Sequence, residues 1–382
     1  MKYYIIAGEA SGDLHGSNLI KEVKKLDAEA NIRCWGGDLM RAAGATLAKH
    51  YHDLAFMGFA EIVMNLKNIL GNLKFCKEDI LQFDPDVLVL INYSAFNLRI
   101  AEWAYKPKAK SQKPKAKTVF YIPPQVWAWK ESRVPKMKET IDEMIVILPF
   151  EKEYYKNKWN WDVDYVGHPL VQAVEEFKQS AISSQPSANN IIALLPGSRK
   201  QEIAKKLPIM LEVSRYFPQY QFILAKAPGL EDAFYESFVR NYTNVSSVRN
   251  KTYQLLSEAK AALVTSGTAT LETALFGVPE VVCYKGSNMS YQIAKRLIKI
   301  KYISLVNLIM DKPVVKELIQ NELTVKNVKR ELSKLLCDET KKAQIKQDYE
   351  DLKKMLSAGG NASANAAKIV IETARAQTGK PV

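Results

Sequence analysis

Short, almost uninterrupted apolar segments alternate along the chain with longer segments whose apolar residues recur at helical spacing. Candidate strands in the first half lie at 2–8, 32–37, 87–92, 118–123, 144–149 and 164–169, with helical segments such as 14–27, 60–82 and 95–104 between them. After residue 190 the candidate strands lie at 191–197, 220–227, 244–248, 261–267, 280–285 and 302–307. Strands covered on both faces are apolar throughout, so the pattern predicts an α/β fold with parallel, doubly wound sheets.

A small, polar segment without periodicity, "KQSAISSQPSANN" at 178–190, separates the two series of strands and is interpreted as an interdomain linker. We therefore predict an N-terminal Rossmann-like domain at 1–178, a C-terminal one at 191–350, and a cleft between them. The segment 312–375 is helical and charged, with a break at Gly359-Gly360. Residues 351–382 are expected to pack back on the N-terminal domain.

The net charge of +13, from 54 basic and 41 acidic side chains, suits an anionic partner such as a nucleic acid, an acidic membrane surface or a phosphorylated substrate. The lysine-rich segment 106–117 is interpreted as a solvated loop or as a contact for anionic lipid headgroups; it lacks the interleaved aromatic residues that stack on bases. Four scattered cysteines and four unclustered histidines indicate a reduced, cytoplasmic, metal-free protein. We expect neither a signal peptide nor a membrane-spanning segment.

The first candidate strand runs into a glycine-rich turn, "AGEASGD" at 7–13, just before a helix. Backbone N–H groups in such a turn can hold a polar ligand. Glu9 and Asp13 would repel a phosphate, so the turn suits sugar hydroxyls or a proton transfer. The alternative is that Asp13 only caps the helix.

Two turns in the second half have the same strand–turn–helix pattern but a different chemistry. "LLPGSRKQEI" (194–203) places Arg199 at a helix entry, which favours a diphosphate unless Gly197 merely makes the turn and Arg199 is solvated. "VTSGTATLETALFGVPEVV" (264–282) offers Ser266, Gly267 and Thr268 to phosphate oxygens and Glu272 to a ribose. Its alternative is an N-cap with Glu272 as capping-box partner. Together these turns predict a nucleotide diphosphate bound to the second domain.

Other motifs remain ambiguous from the residues alone. Asp-x-Asp triplets at 84–86 and 162–164 lie before strands, which favours turns over a metal site. Trp127 and Trp129 suit a sugar, an acyl chain or ordinary core packing. Segment 57–70, with apolar residues at helical spacing, suits either a core helix or an acyl-binding, membrane-facing one, and the apolar–basic segment 291–303 allows the same alternatives. Without a metal, Arg199 and the helix termini would have to neutralise a diphosphate.

In this order along the chain, "AGEASGD", "MGFAEI", "PPQVWAW" followed by "RV", "LPFE", "VGHPL", "LLPGSRKQEI", "SGTATLE", "AKRLIK", "YISLVNLI" and "VVKELIQ" resemble the lipid-A-disaccharide synthase family, glycosyltransferase family 19. The resemblance implies a GT-B fold, with two Rossmann-like domains and no metal or other cofactor. It also implies transfer of 2,3-diacylglucosamine from UDP-2,3-diacylglucosamine to 2,3-diacylglucosamine 1-phosphate, giving a β-1,6 disaccharide and UDP. Such an enzyme works peripherally on the anionic cytoplasmic face of a Gram-negative inner membrane.

The resemblance also assigns roles to residues. Arg199 would neutralise the UDP diphosphate, Ser266, Gly267 and Thr268 would cradle it, and Glu272 would lie near the ribose. Asn307, Glu317 and Gln320 match further positions on the nucleotide side. Glu9, Ser11 and Asp13 match the acceptor or catalytic loop.

The chain departs from the family in "INYSAFN" (91–97), where the family commonly reads Ile-Asp-x-Pro, one residue that is often Asp, and Phe-Asn. Asn92 replaces the first acid, Ser94 the proline and Ala95 the second acid. Because an amide cannot act as a general base, Asp13 or Glu9 is the expected base.

The sequence bears on three alternatives to a transferase. A UDP-sugar 2-epimerase shares the fold but has no use for acyl-binding surface, and Asn92 makes a non-catalytic UDP-sugar-binding homologue a further hypothesis. A dehydrogenase is disfavoured because no GxGxxG follows either first strand. Nucleic acid is not an expected partner, and the sequence leaves open whether the chain forms a homodimer.

Overall fold

The computed structural model describes residues 1–54, 66–105, 116–180, 190–227, 229–287, 291 and 300–378. The chain divides into two compact units, one formed by Met1–Pro169 with the segment from Ser357 onward and the other by Leu170–Leu356. The first unit thus ends before the predicted boundary at 178, because a helix occupies Pro169–Ser180. Most of the predicted linker, 181–189, lies outside the described residues.

The first unit contains a seven-stranded parallel sheet in the order β3-β2-β1-β4-β5-β6-β7. Its strands are β1 (Lys2–Ala7), β2 (Asn31–Gly36), β3 (Thr46–His50), β4 (Val87–Ile91), β5 (Lys117–Tyr121), β6 (Glu143–Val146) and β7 (Asp164–Tyr165). Its connecting helices are α1 (Ala10–Leu26), α2 (Asp38–Ala42), α3 (Leu66–Phe83), α4 (Ser94–Tyr105), α5 (Val134–Thr140) and α6 (Pro149–Trp159), with 3-10 turns at Tyr51–Leu54 and Glu131–Arg133.

The second unit contains a six-stranded parallel sheet in the order β10-β9-β8-β11-β12-β13. Its strands are β8 (Ile191–Leu195), β9 (Gln221–Lys226), β10 (Val245–Arg249), β11 (Ala261–Thr265), β12 (Glu280–Tyr284) and β13 (Lys316–Ile319). Its helices are α7 (Pro169–Ser180), α8 (Lys200–Ser214), α9 (Asp232–Val239), α10 (Thr252–Glu258), α11 (Thr268–Leu275), α12 (Leu305–Met310), α13 (Val325–Cys337) and α14 (Glu339–Ser357), with a 3-10 turn at Gln320–Glu322.

The last helix, α15 (Ala362–Thr378), belongs to the first unit. One face of β1, with Tyr3 and Ile5, shares a buried apolar cluster with residues of α1 and α15. The opposite face, with Tyr4 and Ile6, packs in a second cluster with residues such as Trp35. Both faces of the central strands are therefore covered, which explains their continuous apolar sequences.

A close backbone approach fixes the start of α15. A Cβ atom built on Gly359 would lie 2.1 Å from the backbone nitrogen of Gly167, so only glycine fits there. Gly360 has a φ of +76°, and Asn365 Nδ2 donates to the Gly359 carbonyl at 2.5 Å. The predicted break at this glycine pair is confirmed.

The α/β class with two Rossmann-like units is confirmed, and most predicted strands lie within a few residues of observed ones. The strand predicted at 302–307 is wrong, because Ser304 caps the helix α12 and its hydroxyl accepts from the backbone N–H of Asn307. Strands β3 and β13 were not predicted. Among the described residues, no helix combines the length and hydropathy needed to cross a bilayer.

Candidate active site

Both sheets reverse their strand order at one point, and the predicted site residues follow the strands that meet there. In the first unit the reversal lies between β1 and β4, which lead to Glu9 and Asn92. In the second it lies between β8 and β11, which lead to Arg199 and Ser266. Ligands of doubly wound sheets bind at the carboxyl ends of the strands at this switch point. Glu9 and Asn92 thus lie at the carboxyl edge of the first sheet, and Arg199 and Ser266 lie at that of the second.

The first switch point holds an exposed carboxylate beside a strained turn. Glu9 is the N-cap residue of α1 and makes no side-chain capping bond; its Oε2 accepts from Asn92 Nδ2 at 3.4 Å. Asn92 and Tyr93 have φ values of +50° and +45° in succession, a conformation that costs a tyrosine free energy. The Tyr93 ring covers Gly8, where a Cβ atom would lie 2.3 Å from it. Burial, and then the Glu9 charge, raise the pKa of Tyr93.

A buried asparagine holds this turn in place. Asn97 Nδ2 lies 2.9 Å from the Asn92 carbonyl oxygen and 3.3 Å from those of Ile6 and Ile91. One amide group therefore ties the ends of β1 and β4 to the turn. Asn97 was not predicted as a site residue, although an asparagine among apolar residues just after a strand is a recognisable signal.

Asp13 is engaged elsewhere. Its side chain is 3% exposed and accepts backbone hydrogen bonds from Gly37 at 2.8 Å, Met40 at 3.0 Å and Leu39 at 3.1 Å. Asp13 therefore caps α2. The alternative that Asp13 caps its own helix, predicted at 14–27, is wrong. Ser11 is exposed in the first turn of α1. Of the two candidate bases, Glu9 is the one whose carboxylate is accessible.

Two further sets of titratable residues in this unit were not predicted as functional. Glu151, 2% exposed, accepts from Trp127 Nε1 and from the Leu148 backbone N–H, both at 3.0 Å. Burial raises the pKa of Glu151 to about 7. Burial also lowers the pKa of His15 to about 4 and that of His168 to about 3, so both imidazoles are neutral at pH 7. These groups add no positive charge near the glutamate-bearing edge.

The second switch point has a different electrostatic character. Arg199 is the N-cap residue of α8, with a side chain 65% exposed and its Nη1 3.1 Å from Glu202 Oε1. The turn before it depends on Gly197, whose φ is +117°. Behind it Lys206, 2% exposed, donates to the Thr265 hydroxyl and lies 3.7 Å from Glu202 Oε2. Burial lowers the pKa of Lys206. The Glu202 carboxylate therefore lies between the guanidinium of Arg199 and the ammonium of Lys206.

The neighbouring turn is open at Gly267 as far as the described residues reach. Gly267, with a φ of +137°, is the N-cap residue of α11, and a Cβ atom there would meet no atom of the described residues within 4 Å. No side-chain hydrogen bond caps this helix, so the capping-box alternative for Glu272 is wrong. Glu272 instead accepts from the Tyr253 hydroxyl at 3.3 Å, and burial raises its pKa. Ser266 Oγ donates to the Ile303 carbonyl at 2.6 Å, and Thr268 is exposed.

Asn307 and Glu317 form an internal network beside this turn. Glu317 Oε1 accepts from the backbone N–H of Ser304 at 2.9 Å and from Asn307 Nδ2 at 3.0 Å. Asn307 also exchanges two hydrogen bonds with the backbone of Val315, each 2.9 Å long. Gln320, with a φ of +51°, accepts from the Gly286 backbone N–H at 3.0 Å. The network fixes residues 303–304 against the turn at Ser266.

The first Asp-x-Asp triplet, 84–86, forms the bend before β4, whereas the second, 162–164, runs directly into β7. Asp84 has a φ of +48°, and Asp86 Oδ2 accepts from the Lys2 backbone N–H at 2.8 Å. Within the described ranges, no three His, Cys, Asp or Glu side chains group together as metal ligands. The lysine-rich residues 106–115, the motif "MGFAEI" and the motif "AKRLIK" lie outside those ranges.

Two successive Rossmann-like units, each with polar turns at its switch point, define the GT-B class. Solved structures with this fold include the UDP-GlcNAc 2-epimerase of Neisseria meningitidis (TM-score 0.65, 13% identity, covering 98% of this chain and 99% of that one). The calicheamicin glycosyltransferase CalG4 has the same fold (TM-score 0.62, 14% identity, covering 99% of both chains).

The family model described as lipid-A-disaccharide synthetase matches residues 3–373. A lipid-A-disaccharide synthase of Geobacter metallireducens is 36% identical over 378 residues, and one of Coxiella burnetii is 34% identical over 374 residues; each alignment covers 96% of both chains. The chain therefore belongs to the lipid-A-disaccharide synthetase family and is a glycosyltransferase of lipid A biosynthesis.

Proposed function

We propose that the chain transfers 2,3-diacylglucosamine from UDP-2,3-diacylglucosamine to 2,3-diacylglucosamine 1-phosphate, with inversion at the anomeric carbon. The substrates are those that the family resemblance implies. The observation that carries the proposal is the contrast between the switch points: an accessible carboxylate, Glu9, in the first unit and a guanidinium at a helix entry, Arg199, in the second. A base for an acceptor hydroxyl and a countercharge for a diphosphate are what this reaction needs.

In the proposed donor site Arg199 pairs with the diphosphate, and Ser266, Gly267 and Thr268 approach it from the neighbouring turn. The N–H groups at the start of α8 and α11 contribute positive potential without a metal ion. Glu272 takes the ribose hydroxyls. Asn307, Glu317 and Gln320 support this side by holding the segment that Ser266 contacts.

In the proposed acceptor site Glu9 removes the proton from the attacking hydroxyl. The acceptor oxygen then forms a bond to C1 of the donor sugar, while the bond from C1 to the diphosphate oxygen breaks and UDP leaves with the electron pair. Asn92 orients the carboxylate through its 3.4 Å contact. Ser11 is placed to contact a sugar hydroxyl, and Asp13 positions α2 rather than taking the proton.

The test combines turnover with UDP binding in two variants. Glu9→Gln should lower turnover at least about a hundredfold with UDP affinity unchanged, and Arg199→Ala should lower UDP affinity. Glu22→Gln is the matched control for Glu9, because it removes one carboxylate from the same helix. UDP release that depends on both lipid substrates is expected of the wild type; UDP binding without turnover would instead identify a non-catalytic homologue, and UDP-sugar isomerisation without an acceptor an epimerase.

We also propose that the enzyme works at the anionic cytoplasmic surface of the inner membrane. The net charge of +13 supports this, with six lysines at 106–117. Sedimentation with vesicles of phosphatidylglycerol, compared with neutral phosphatidylcholine vesicles, tests it. Equal binding to both vesicles would contradict an electrostatic contact.

A further inference from the structure

A cavity of about 210 Å³ opens in the first unit between α4 and α5. Three cationic side chains line it, those of Arg99, Arg133 and Lys136, together with one carboxylate, Glu102. Ala95 also lies in the wall of the cavity and adds no charge there. A concave surface with more cations than anions attracts an anion.

The two arginines of the cavity are available for a ligand. In the parts of the chain that the structure describes, neither Arg99 nor Arg133 has an ion pair or a side-chain hydrogen bond, whereas Lys136 pairs with Glu139 at 2.7 Å. The acid nearest to Arg133 in sequence, Glu131, is held by Lys158 at 2.6 Å and Tyr154 at 2.5 Å. Two guanidinium groups in one cavity therefore keep their hydrogen-bonding capacity.

The cavity adjoins the loop that contacts the proposed base. Helix α4 begins directly after the left-handed pair at 92–93, and its first turn contributes Ala95 to the cavity wall. Asn92, at the start of this turn, contacts Glu9. A ligand in the cavity is thus bound by the helix that the loop leads into.

We propose that this cavity binds the phosphomonoester of the acceptor sugar, through Arg99 and Arg133. The inference rests on the proposed function and adds a phosphate subsite to its acceptor site. A phosphomonoester offers three acceptor oxygens, which suit the planar fork of a guanidinium better than a single carboxylate does. The subsite would select an acceptor with a 1-phosphate over the same sugar without it.

The test uses a soluble probe that does not depend on turnover. Binding of glucosamine 1-phosphate and of glucosamine is measured by ligand-observed NMR for the wild type, Arg133→Gln, Arg99→Gln and the double variant. The dissociation constant for the phosphorylated sugar should rise about tenfold in each single variant, while glucosamine binds equally weakly to all. Arg240→Gln, an exposed arginine of the second unit, is the control for the lost charge.

Each result decides one question. Equal affinity of the wild type and Arg133→Gln for glucosamine 1-phosphate would refute the phosphate subsite, even if the enzyme catalyses the proposed transfer. Arginine-dependent binding without any turnover would support the subsite and refute the proposed reaction. If Arg133→Gln loses binding to phosphatidylglycerol vesicles but keeps its affinity for glucosamine 1-phosphate, the cavity binds lipid headgroups and the proposal is wrong. Competition by inorganic phosphate as strong as by the sugar phosphate would likewise reject recognition of the acceptor.

Discussion

Replacing Lys206 with methionine should weaken UDP binding, although Lys206 is almost completely buried. Its ammonium lies 3.7 Å from the Glu202 carboxylate, whose other oxygen lies 3.1 Å from Arg199. Lys206 therefore neutralises part of the charge that would otherwise hold Arg199 away from a diphosphate. In the variant, Glu202 has Arg199 as its remaining cationic partner in this cluster, and the guanidinium must leave an uncompensated carboxylate in order to bind UDP.

The distances give the size of the effect. At an effective dielectric constant of about 20, two charges at this separation interact by about 4 kcal/mol. Glu202 is 38% exposed, so water screens part of that energy, and the buried ammonium has already lost its hydration. A net effect of roughly 1 to 2 kcal/mol remains, which corresponds to about a tenfold loss of affinity.

Calorimetric titration of UDP into five proteins separates this mechanism from a general loss of charge. The proteins are the wild type, Lys206→Met, Glu202→Gln and the double variant, with Lys205→Met as the control from the exposed side of the same helix. Lys206→Met should have little effect in the Glu202→Gln background, since the carboxylate that it compensates is gone. The reasoning is refuted if Lys206→Met binds UDP as tightly as Lys205→Met, or if its loss is equal in both backgrounds.

Three other changes have defined outcomes. Asn92→Asp puts a second carboxylate beside Glu9, and the repulsion between two adjacent negative charges should move the acidic limb of the kcat–pH profile to higher pH; an unchanged profile would exclude Glu9 as the base. Because burial raises the pKa of Glu151 to about 7, the folded state binds its proton more tightly than the unfolded chain. That stabilisation is present at low pH and disappears as the pH rises through 7, so the free energy of unfolding of the wild type should fall by roughly 2 to 3 kcal/mol relative to Glu151→Gln between pH 5 and pH 8. If urea titrations give the same difference in unfolding free energy between the wild type and Glu151→Gln at both pH values, this prediction is wrong. Gly359→Ala should destabilise the protein by about 3 kcal/mol, because its Cβ atom would lie 2.1 Å from the nearest backbone nitrogen. In Gly71→Ala the Cβ atom meets no atom of the described part of the chain within 4 Å, and a similar loss in this control would show that contact at Gly359 is not the cause.

The order of elements could be predicted because fully buried parallel strands leave a plain signal. The strand Val87–Ile91, "VLVLI", is buried at every position and is unmistakable in sequence. Strand β3 has partly exposed residues, and β13 is only Lys316–Ile319, so neither forms an apolar run. The apolar run at 302–307 misled the prediction, since a buried helix turn and a strand cannot be distinguished over so few residues.

The positions of the candidate site residues could be predicted from the strand ends. The residues that they contact through hydrogen bonds and ion pairs could not. Glu9 and Arg199 follow strands at the switch points, as the pattern implied. The cap that Asp13 provides to α2, and the contact of Lys206 with Glu202, join residues through tertiary packing. A lysine in an amphipathic helix usually faces solvent, so nothing in the local pattern of α8 marks Lys206 as buried.

The return of α15 to the first unit has a consequence for biosynthesis. The second unit is one continuous stretch, so a nascent chain can complete it as soon as Leu356 has left the ribosome. The first unit begins earlier but lacks one wall of its core until Ala374 has been translated. Its helix α1 therefore keeps apolar surface uncovered for nearly the whole of translation, and such surface favours aggregation until α15 covers it.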